Sequence, residues 1–290
     1  MSISNSSTPQ LNSISNPNMT SIHYPQRQLL SPQAWTLFLL SLMVLCVLVP
    51  ISNLLIPSDS VFHLSDYAVG LIAKIMCYAL CALAIDLIWK SSEIEGNTYS
   101  LLETEALIKQ HELAKGKSKE DATMLLNHKK ALDFITDDLD YLKPLTVNKI
   151  IDIHTLLIGG LGVSNNIRRR AVAITGTNYR PLSIETQIKE ELEEIVNLVN
   201  SKNNIFEKGL LLLCLLSYLQ AFEDGNKRTA RIMSNAVLMS HNYCPLSFRT
   251  VSAVDYKKAM LLFYEQNNIS AMKEIFIHQY EFAVKQYFDL

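Results

Sequence analysis

The sequence predicts a mainly α-helical fold with one small β element, and three patterns carry this prediction. Apolar residues recur at helical spacing over several long segments of the 290-residue chain. The stretch from Ile205 to Leu219 is almost wholly apolar, which predicts a buried central helix. Residues Ala171 to Ile174 precede a Thr-Gly-Thr-Asn turn and predict a short strand or hairpin arm. The other predicted helices are Ser100 to Gln110, Lys119 to Thr136, Thr146 to Ile158, Ile184 to Val199, Arg228 to Ser240 and a last group beginning with Asp255 to Tyr264.

The composition is that of a globular protein with a sizeable core, because 49% of the residues are hydrophobic. The formal net charge of −2 leaves no strongly basic surface, so we expect no nucleic-acid partner. The five cysteines, at positions 46, 77, 81, 214 and 244, lack the spacing of a zinc site. We therefore expect buried thiols in a reducing compartment and no disulfide framework.

The N-terminal part of the chain differs from the rest. Residues 1–30 are rich in Ser, Asn, Pro and Gln and have no apolar period, so they are predicted to be disordered. Residues 31–57 follow as an apolar segment without any Asp, Glu, Lys or Arg. Its central part, residues 34–56, is long enough to span a bilayer, which takes about 20 apolar residues. The alternative is a buried helix interrupted at Pro50.

A second apolar stretch runs from Tyr67 to Trp89 and contains Lys74 and Asp86. Charged residues are costly inside a membrane, so we predict a core helix here.

The segment from Gln220 to Arg231, QAFEDGNKRTAR, carries the chemistry. A buried helix ends near Leu219, a polar loop follows, and a new helix begins with three cations in its first turns. Cations normally avoid the positive N-terminal end of a helix, so their clustering indicates a strongly anionic ligand. Gly225 allows close approach of the backbone to phosphate, and Asp224 is an oxygen ligand suited to Mg²⁺. Together these residues predict a nucleotide polyphosphate site, whereas a capped loop with solvated charges is the alternative.

The same string resembles the motif of the Fic (Fic/DOC) family, His-Pro-Phe-x-Asp/Glu-Gly-Asn-Gly/Lys-Arg-x-x-Arg. The matching residues are Phe222, Asp224, Gly225, Asn226, Lys227, Arg228 and Arg231. Two positions depart from the motif, because Ala221 replaces the proline and Gln220 replaces the histidine. The resemblance implies a Fic-type helical bundle with a β-hairpin flap, in which a Fic domain covers residues 146–285 and a helical N-terminal region covers residues 58–145.

Fic proteins of this kind transfer AMP from ATP to hydroxyl groups of protein side chains, and the resemblance implies a role for each matching residue. Asp224 would hold Mg²⁺, Gly225, Asn226, Lys227 and Arg228 would bind the phosphates, and Arg231 would orient the γ-phosphate. The histidine that acts as general base has no counterpart, since the amide of Gln220 does not accept a proton near neutral pH. We therefore expect ATP and Mg²⁺ to bind, with very slow or no transfer of AMP to Ser, Thr or Tyr.

Upstream, residues 91–97 resemble the inhibitory motif of the family, Ser/Thr-x-x-x-Glu-Gly/Asn. By this resemblance Glu95 would pair with Arg231 and block productive placement of the γ-phosphate; the alternative is a helix C-terminus capped by Gly96. The segment Val172 to Tyr179 resembles the hairpin flap that docks the target by strand addition. Four flap residues, Thr175, Gly176, Thr177 and Asn178, would then lie over the nucleotide. Two later tyrosines, Tyr256 and Tyr264, would meet the adenine or else serve helix packing.

Three functional interpretations stay open at this point. The chain is an impaired and autoinhibited adenylyltransferase, a non-catalytic nucleotide-binding or scaffold protein, or a member that removes AMP. The family also suggests a homodimer, and the need for ATP places the Fic domain in the cytoplasm, with membrane anchoring through residues 34–56 if that segment spans a bilayer. Gln220 as an introduced change in an active enzyme is a further alternative.

Overall fold

The computed structural model of the protein describes residues 51–55, 60 and 82–287. Residues 82–287 contain nine α-helices, which we number in chain order, and they have no β-strand. The helices are α1 (82–94), α2 (Leu101–Gln110), α3 (Lys119–Asp137), α4 (Val147–Ile158), α5 (Glu185–Ser201), α6 (Ile205–Leu219), α7 (Asn226–Met239), α8 (Ala253–Gln266) and α9 (Ser270–Tyr287). The predicted mainly α-helical fold is therefore confirmed.

Most helices begin where the sequence supplies a capping side chain. Ser100 and Glu103 form a reciprocal capping box at the start of α2. Ser118, Thr146 and Ser252 each accept a hydrogen bond from the backbone three residues later, at the starts of α3, α4 and α8.

Helix α6 lies at the centre of the bundle, as its apolar sequence predicts. Leu212, Leu213 and Cys214 are fully buried, because α6 packs along α7 and also contacts α5, α8 and α9. One side of α6 shares a core with α4, α5 and α7, and the other side shares a core with α8 and α9. A third, smaller apolar cluster joins α1, α2 and α3. The loop that begins at Gln220 therefore connects two helices, α6 and α7, that both contribute to the core.

The predicted hairpin arm at Ala171 to Ile174 does not form a strand. Residues 163–184 follow an irregular path with a turn at Thr175 and Gly176. No strand lies beside them in residues 82–287, and a lone two-stranded hairpin is at best marginally stable in water. The turn was predicted correctly, but the pairing that would make its flanks into strands is missing.

Several predictions concern the N-terminal part. The disordered segment 1–30, and the apolar segment 34–56 apart from 51–55, lie outside the described residues. Within the part of the chain that the structure describes, no helix is both long and apolar enough to cross a membrane. The stretch Tyr67 to Trp89 is described only from residue 82, where it is helical. Cys214 and Cys244 are buried free thiols, as expected, and the other three cysteines lie outside the described residues.

Candidate functional site

The loop between α6 and α7 is formed by two residues in the left-handed region of the backbone. Gln220 ends α6 with φ 51° and ψ 53°, and Gly225 precedes α7 with φ 81°. A Cβ atom on Gly225 would lie 3.0 Å from Ile158 Cγ2 and 3.4 Å from the ring of His154. Glycine is therefore required at this position for two reasons, its backbone conformation and the closeness of α4.

Side-chain amides hold this loop in shape. The Asn226 Nδ2 group donates to the Phe222 carbonyl at 2.8 Å and to Gln220 Oε1 at 3.2 Å, and Asn226 Oδ1 accepts from the Phe222 N–H at 2.9 Å. The Gln220 Nε2 group donates to the Ser217 carbonyl at 2.6 Å. Both ends of the Gln220 amide are thus engaged inside the protein, and the residue is only 9% exposed.

Arg168 holds the loop from its other side, a role that its sequence does not predict. Its backbone N–H donates to the Ala221 carbonyl at 3.0 Å, and its Nε donates to the Gln220 carbonyl at 2.5 Å. The guanidinium also donates to the carbonyls of Arg170, at 2.9 Å, and Leu182. This single side chain, 1% exposed, therefore joins the irregular segment 163–184 to the motif loop.

His154 of α4 packs against the loop, and this role too was not predicted from the sequence. Its ring stacks on Phe222 with a centroid separation of 3.6 Å, and its Nε2 is 2.8 Å from the Asp224 carbonyl. Burial lowers the pKa of His154 to about 4, so the ring is neutral near pH 7. The only sequence signal was a polar ring among the apolar residues of a helix.

The two arginines of the motif face different partners. Arg228 Nη2 lies 3.1 Å from Asp224 Oδ2, and its Nη1 donates to the Leu157 carbonyl at 3.2 Å. The Asp224 side chain is 62% exposed, whereas that of Arg228 is 2% exposed. The Asp224 carboxylate therefore presents an open face to solvent while Arg228 fixes it from behind.

Arg231 is bound by the end of helix α1. Its Nη1 lies 2.8 Å from Glu95 Oε1, while its Nε and Nη2 donate to the Ser91 hydroxyl at 2.9 Å and the Ser91 carbonyl at 2.7 Å. Lys227 Nζ lies 3.9 Å from the second Glu95 oxygen. Gly96 also ends the helix, with φ 98°, so the capping and pairing interpretations of residues 91–97 both hold geometrically.

Electrostatics reinforce this contact. Burial alone would raise the pKa of Glu95, but Arg231 and Lys227 outweigh it and lower the pKa below its usual value of 4.5. Burial would lower the pKa of Arg231, but Glu95 and Tyr256 together outweigh it and raise the pKa. The pair is therefore charged at neutral pH, with Arg231 only 1% exposed.

The four predicted flap residues lie beside α8. The Asn178 N–H donates to Glu265 Oε1 at 3.3 Å, and the Tyr179 hydroxyl donates to the Tyr218 carbonyl at 3.1 Å. Thr175, Gly176 and Asn178 are exposed, and Thr177 Oγ1 accepts from the Tyr179 N–H at 3.0 Å. The segment is therefore anchored by Tyr179 and open at its turn.

Tyr256 and Tyr264 are buried in the core between α6 and α8, with 0% and 3% exposure. Tyr256 lies under Arg231, whose guanidinium carbon is 5.4 Å from the ring centroid. This burial favours helix packing for both tyrosines over contact with an adenine ring.

Residues 144–238 match the sequence model of the Fic/DOC family. This part of the chain is a Fic domain. The protein adenylyltransferase Fic of Nematostella vectensis is 30% identical over 178 residues, covering 58% of this chain and 40% of the relative. Protein adenylyltransferase fic-1 of Caenorhabditis elegans is 25% identical over 175 residues, covering 58% of this chain and 34% of the relative. The chain thus spans less than half the length of the relatives it matches.

Solved structures show the same fold. Fic-1 of C. elegans, residues 134–508, superposes with a TM-score of 0.63 at 19% identity and covers 89% of this chain and 73% of that one. A Fic domain containing signaling protein of Bacteroides thetaiotaomicron gives a TM-score of 0.61 at 19% identity, covering 74% of this chain and 90% of that one. At this identity the likeness concerns the fold alone.

The Fic motif has the features that a Mg²⁺–nucleotide ligand requires. No side chain caps the N-terminus of α7, so its first N–H groups are left for an anion. Among the described residues no group of three or more His, Cys, Asp or Glu forms a metal cluster. Mg²⁺ in phosphoryl-transfer sites is usually held by one or two carboxylates and the substrate phosphates, so the exposed Asp224 carboxylate suits that mode of binding.

Proposed function

We propose that this chain is a Fic-type protein adenylyltransferase, which takes AMP from ATP to a hydroxyl side chain of a protein, and that it is restrained twice. Glu95 restrains the binding of ATP, and Gln220 restrains the transfer step. The names of its relatives and the Fic domain support the reaction class. The contact between Glu95 and Arg231 is the single observation that carries the restrained state.

The nucleotide side of the reaction falls to the start of α7. Gly225 brings the backbone close, and the N–H groups that follow it would bind phosphate oxygens. Asp224 would hold Mg²⁺, which would neutralise charge on the phosphates, and Arg228 fixes the Asp224 carboxylate from behind. These residues bind and orient the phosphates, and none of them moves a proton.

Proton removal is the step without a residue to perform it. The histidine of the Fic motif would take the proton of the target hydroxyl, but Gln220 has an amide that cannot. Its two amide ends already bond to Ser217 and Asn226, so the side chain acts as a brace of the loop. General-base assistance is worth about 10²–10⁴ in rate. We expect transfer to be slower by about that factor than in a Gln220→His variant.

Access of the γ-phosphate is the second restraint. Three hydrogen bonds to Ser91 and Glu95 already occupy the Arg231 guanidinium. A phosphate and a carboxylate compete for the same guanidinium geometry. Glu95 therefore opposes the placement of ATP that aligns its phosphates for transfer.

A second candidate function is a nucleotide-binding protein without catalysis, and the bonding of Gln220 favours it. A glutamine that braces the loop on both sides is well integrated into the fold, so the motif keeps its shape without its base. Such a protein would bind ATP and transfer no AMP.

Incubation with α-³²P-labelled ATP and Mg²⁺ tests these functions. The variants are Gln220→His, Glu95→Gly and the double variant, each beside the unchanged chain, with self-labelling and labelling of cell-lysate proteins as readouts. The adenylyltransferase proposal predicts weak labelling by the unchanged chain and about 10²–10⁴ more by the double variant. Asp224→Ala in the double-variant background is the control, and it should remove the label.

Two outcomes decide between the candidates. Absence of label in the double variant, with MgATP still bound, would establish the non-catalytic function. Labelling by the unchanged chain at the rate of the double variant would contradict both restraints.

A further inference from the structure

A cavity of about 300 Å³ opens beside the motif loop. Its lining includes three consecutive arginines, two polar residues and one carboxylate: Ser164, Asn166, Arg168, Arg169, Arg170 and Glu223. Three guanidinium groups and one carboxylate line this cavity, so its charge is mainly positive.

The buried member of this cluster has no negative partner. Arg168 is 1% exposed, and its guanidinium donates only to the carbonyls of Gln220, Arg170 and Leu182. Within the described part of the chain no carboxylate lies at ion-pair distance from it. A buried cation without a counter-ion is costly, so an anion bound in the cavity would be stabilised by its charge.

The other two arginines are available at the surface. Arg170 is exposed and pairs with no described carboxylate, while the Arg169 side chain is 82% exposed and its Nε lies 2.7 Å from Glu185 Oε2. Exposed ion pairs are weak, so a bound carboxylate can replace Glu185 at low cost. Glu223 acts in the opposite direction and repels an acidic ligand.

The cavity adjoins the loop at which, under the proposed function, the target hydroxyl would arrive. The Arg168 backbone N–H binds the Ala221 carbonyl at 3.0 Å, and the Arg168 side chain binds the Gln220 carbonyl at 2.5 Å. A hydroxyl presented to Gln220 therefore has its neighbouring residues within reach of Arg169 and Arg170. The exposed turn at Thr175 and Gly176 belongs to the same irregular segment, which leaves this side of the site open.

We propose that the surface formed by Arg169 and Arg170, above the buried charge of Arg168, docks an acidic segment of the protein target, with carboxylate side chains flanking the acceptor hydroxyl. The proposal rests on the proposed function for its choice of partner, and it assigns a specificity that the Fic motif itself does not contain. Long-range attraction between the arginines and the acidic segment would also speed association at low ionic strength.

Fluorescence anisotropy with the full chain tests this surface. The probes are two fluorescein-labelled heptapeptides with a central threonine, one flanked by six glutamates and the other by six glutamines. Each exposed ion pair contributes a factor of up to about five, so the glutamate peptide should bind about tenfold more tightly at low salt. The preference should shrink as salt is raised to about 0.5 M.

The variants separate a local site from a general charge effect. Arg169→Ala/Arg170→Ala should abolish the preference, and Glu223→Gln should increase it. Lys129→Ala/Lys130→Ala on α3 removes the same net charge elsewhere and should leave the preference unchanged. Equal binding of both peptides, or an equal loss in the lysine variant, overturns the proposal.

The affinity for MgATP, measured on the same samples, reports on the proposed function separately. A preserved glutamate preference without any binding of MgATP would overturn the nucleotide function and keep the docking surface. Binding of MgATP without a glutamate preference would overturn only the surface.

Discussion

The two sides of Gln220 are built in contrasting ways. On the side of α7, the motif residues Asn226, Arg228 and Arg231 are 5%, 2% and 1% exposed, and each makes at least two hydrogen bonds or ion-pair contacts. On the other side, residues 171–179 are exposed or half-buried and reach the helical body through few hydrogen bonds, among them those of Asn178 and Tyr179.

Under the proposed function, this difference separates the nucleotide half of the reaction from the target half. The loop that we propose to bind phosphate has a fixed shape, because side-chain amides brace it and it packs on His154 and Ile158. The irregular segment lacks the strand pairing that its sequence favours, and an extended target chain could supply it by strand addition. The proposed nucleotide side is therefore preorganised, whereas the proposed target side is held by few contacts.

The largest expected effect comes from separating the buried Arg231 from Glu95. Glu95→Gln should lower the free energy of unfolding by about 3 kcal/mol, because the buried Arg231 loses its counter-ion. Glu185→Gln, which removes the carboxylate beside the exposed Arg169, should cost about 0.2–1 kcal/mol. Urea unfolding of both variants at neutral pH measures the difference. Equal losses would show that the two sides are not built differently.

A matched pair of glycines provides the next test. Gly225→Ala adds a methyl group 3.0 Å from Ile158 at φ 81°, while Gly176→Ala adds one at φ 87° with its nearest neighbour 3.8 Å away. Backbone strain costs each variant about 1–2 kcal/mol, and only Gly225→Ala has a steric cost in addition. Thermal unfolding should therefore show a larger loss for Gly225→Ala. MgATP affinity should fall in that variant alone, and a fall in both would contradict the comparison.

The free energy of unfolding should also depend on pH through a residue beside the motif arginines, whereas residues 171–179 should add no such dependence. Burial, aided by Arg231 and Arg228, lowers the pKa of His128 from 6.5 to about 3. Between pH 6.5 and 3 the unfolded chain binds a proton at this residue that the folded chain does not. Stability should thus be full above pH 6.5 and fall by up to about 1.4 kcal/mol per pH unit below it.

Urea unfolding at pH 7, 6 and 5 measures this slope. A His128→Gln variant should lose the component that His128 contributes, while His278→Gln on the exposed surface should keep it. An unchanged slope in the His128 variant would refute the assignment.

The smallest expected effect lies on the open side. Glu265→Ala removes the acceptor of the Asn178 N–H, a single exposed hydrogen bond of 3.3 Å. The loss of stability should not exceed about 0.5–1 kcal/mol. Hydrogen exchange of residues 175–178 should nevertheless become faster, since the turn loses one of its anchors. A loss clearly above about 1 kcal/mol would show that this segment is more firmly fixed than its contacts indicate.

The sequence predicted the helices well because their signals are local. Helix α6 has the predicted bounds, and the capping serines and threonines set the starts of α2, α3, α4 and α8. The strand at Ala171 to Ile174 failed because a strand requires a partner, which periodicity cannot supply. Within the site, the motif predicted where the loop lies. The residues that hold the loop in place come from distant parts of the chain.

Arg168 and His154 illustrate what the sequence could not reveal. Arg168 contacts residues 52 positions away along the chain, and His154 contacts residues about 70 positions away. Neither contact has a local signature, because a buried arginine and a buried histidine resemble ordinary surface and core residues in the sequence. Ser91, by contrast, belonged to a short motif, yet its double contact with Arg231 emerged only from the structure.

The most direct test of the central claim is the affinity of the unchanged chain and of Glu95→Gly for MgATP, measured by isothermal titration calorimetry. Glu95 contacts Arg231. If, as proposed, the chain has a nucleotide site in which Glu95 competes for Arg231, the unchanged chain should bind MgATP and the variant should bind it about tenfold more tightly. Failure of both proteins to bind, or equal affinities, would contradict the account.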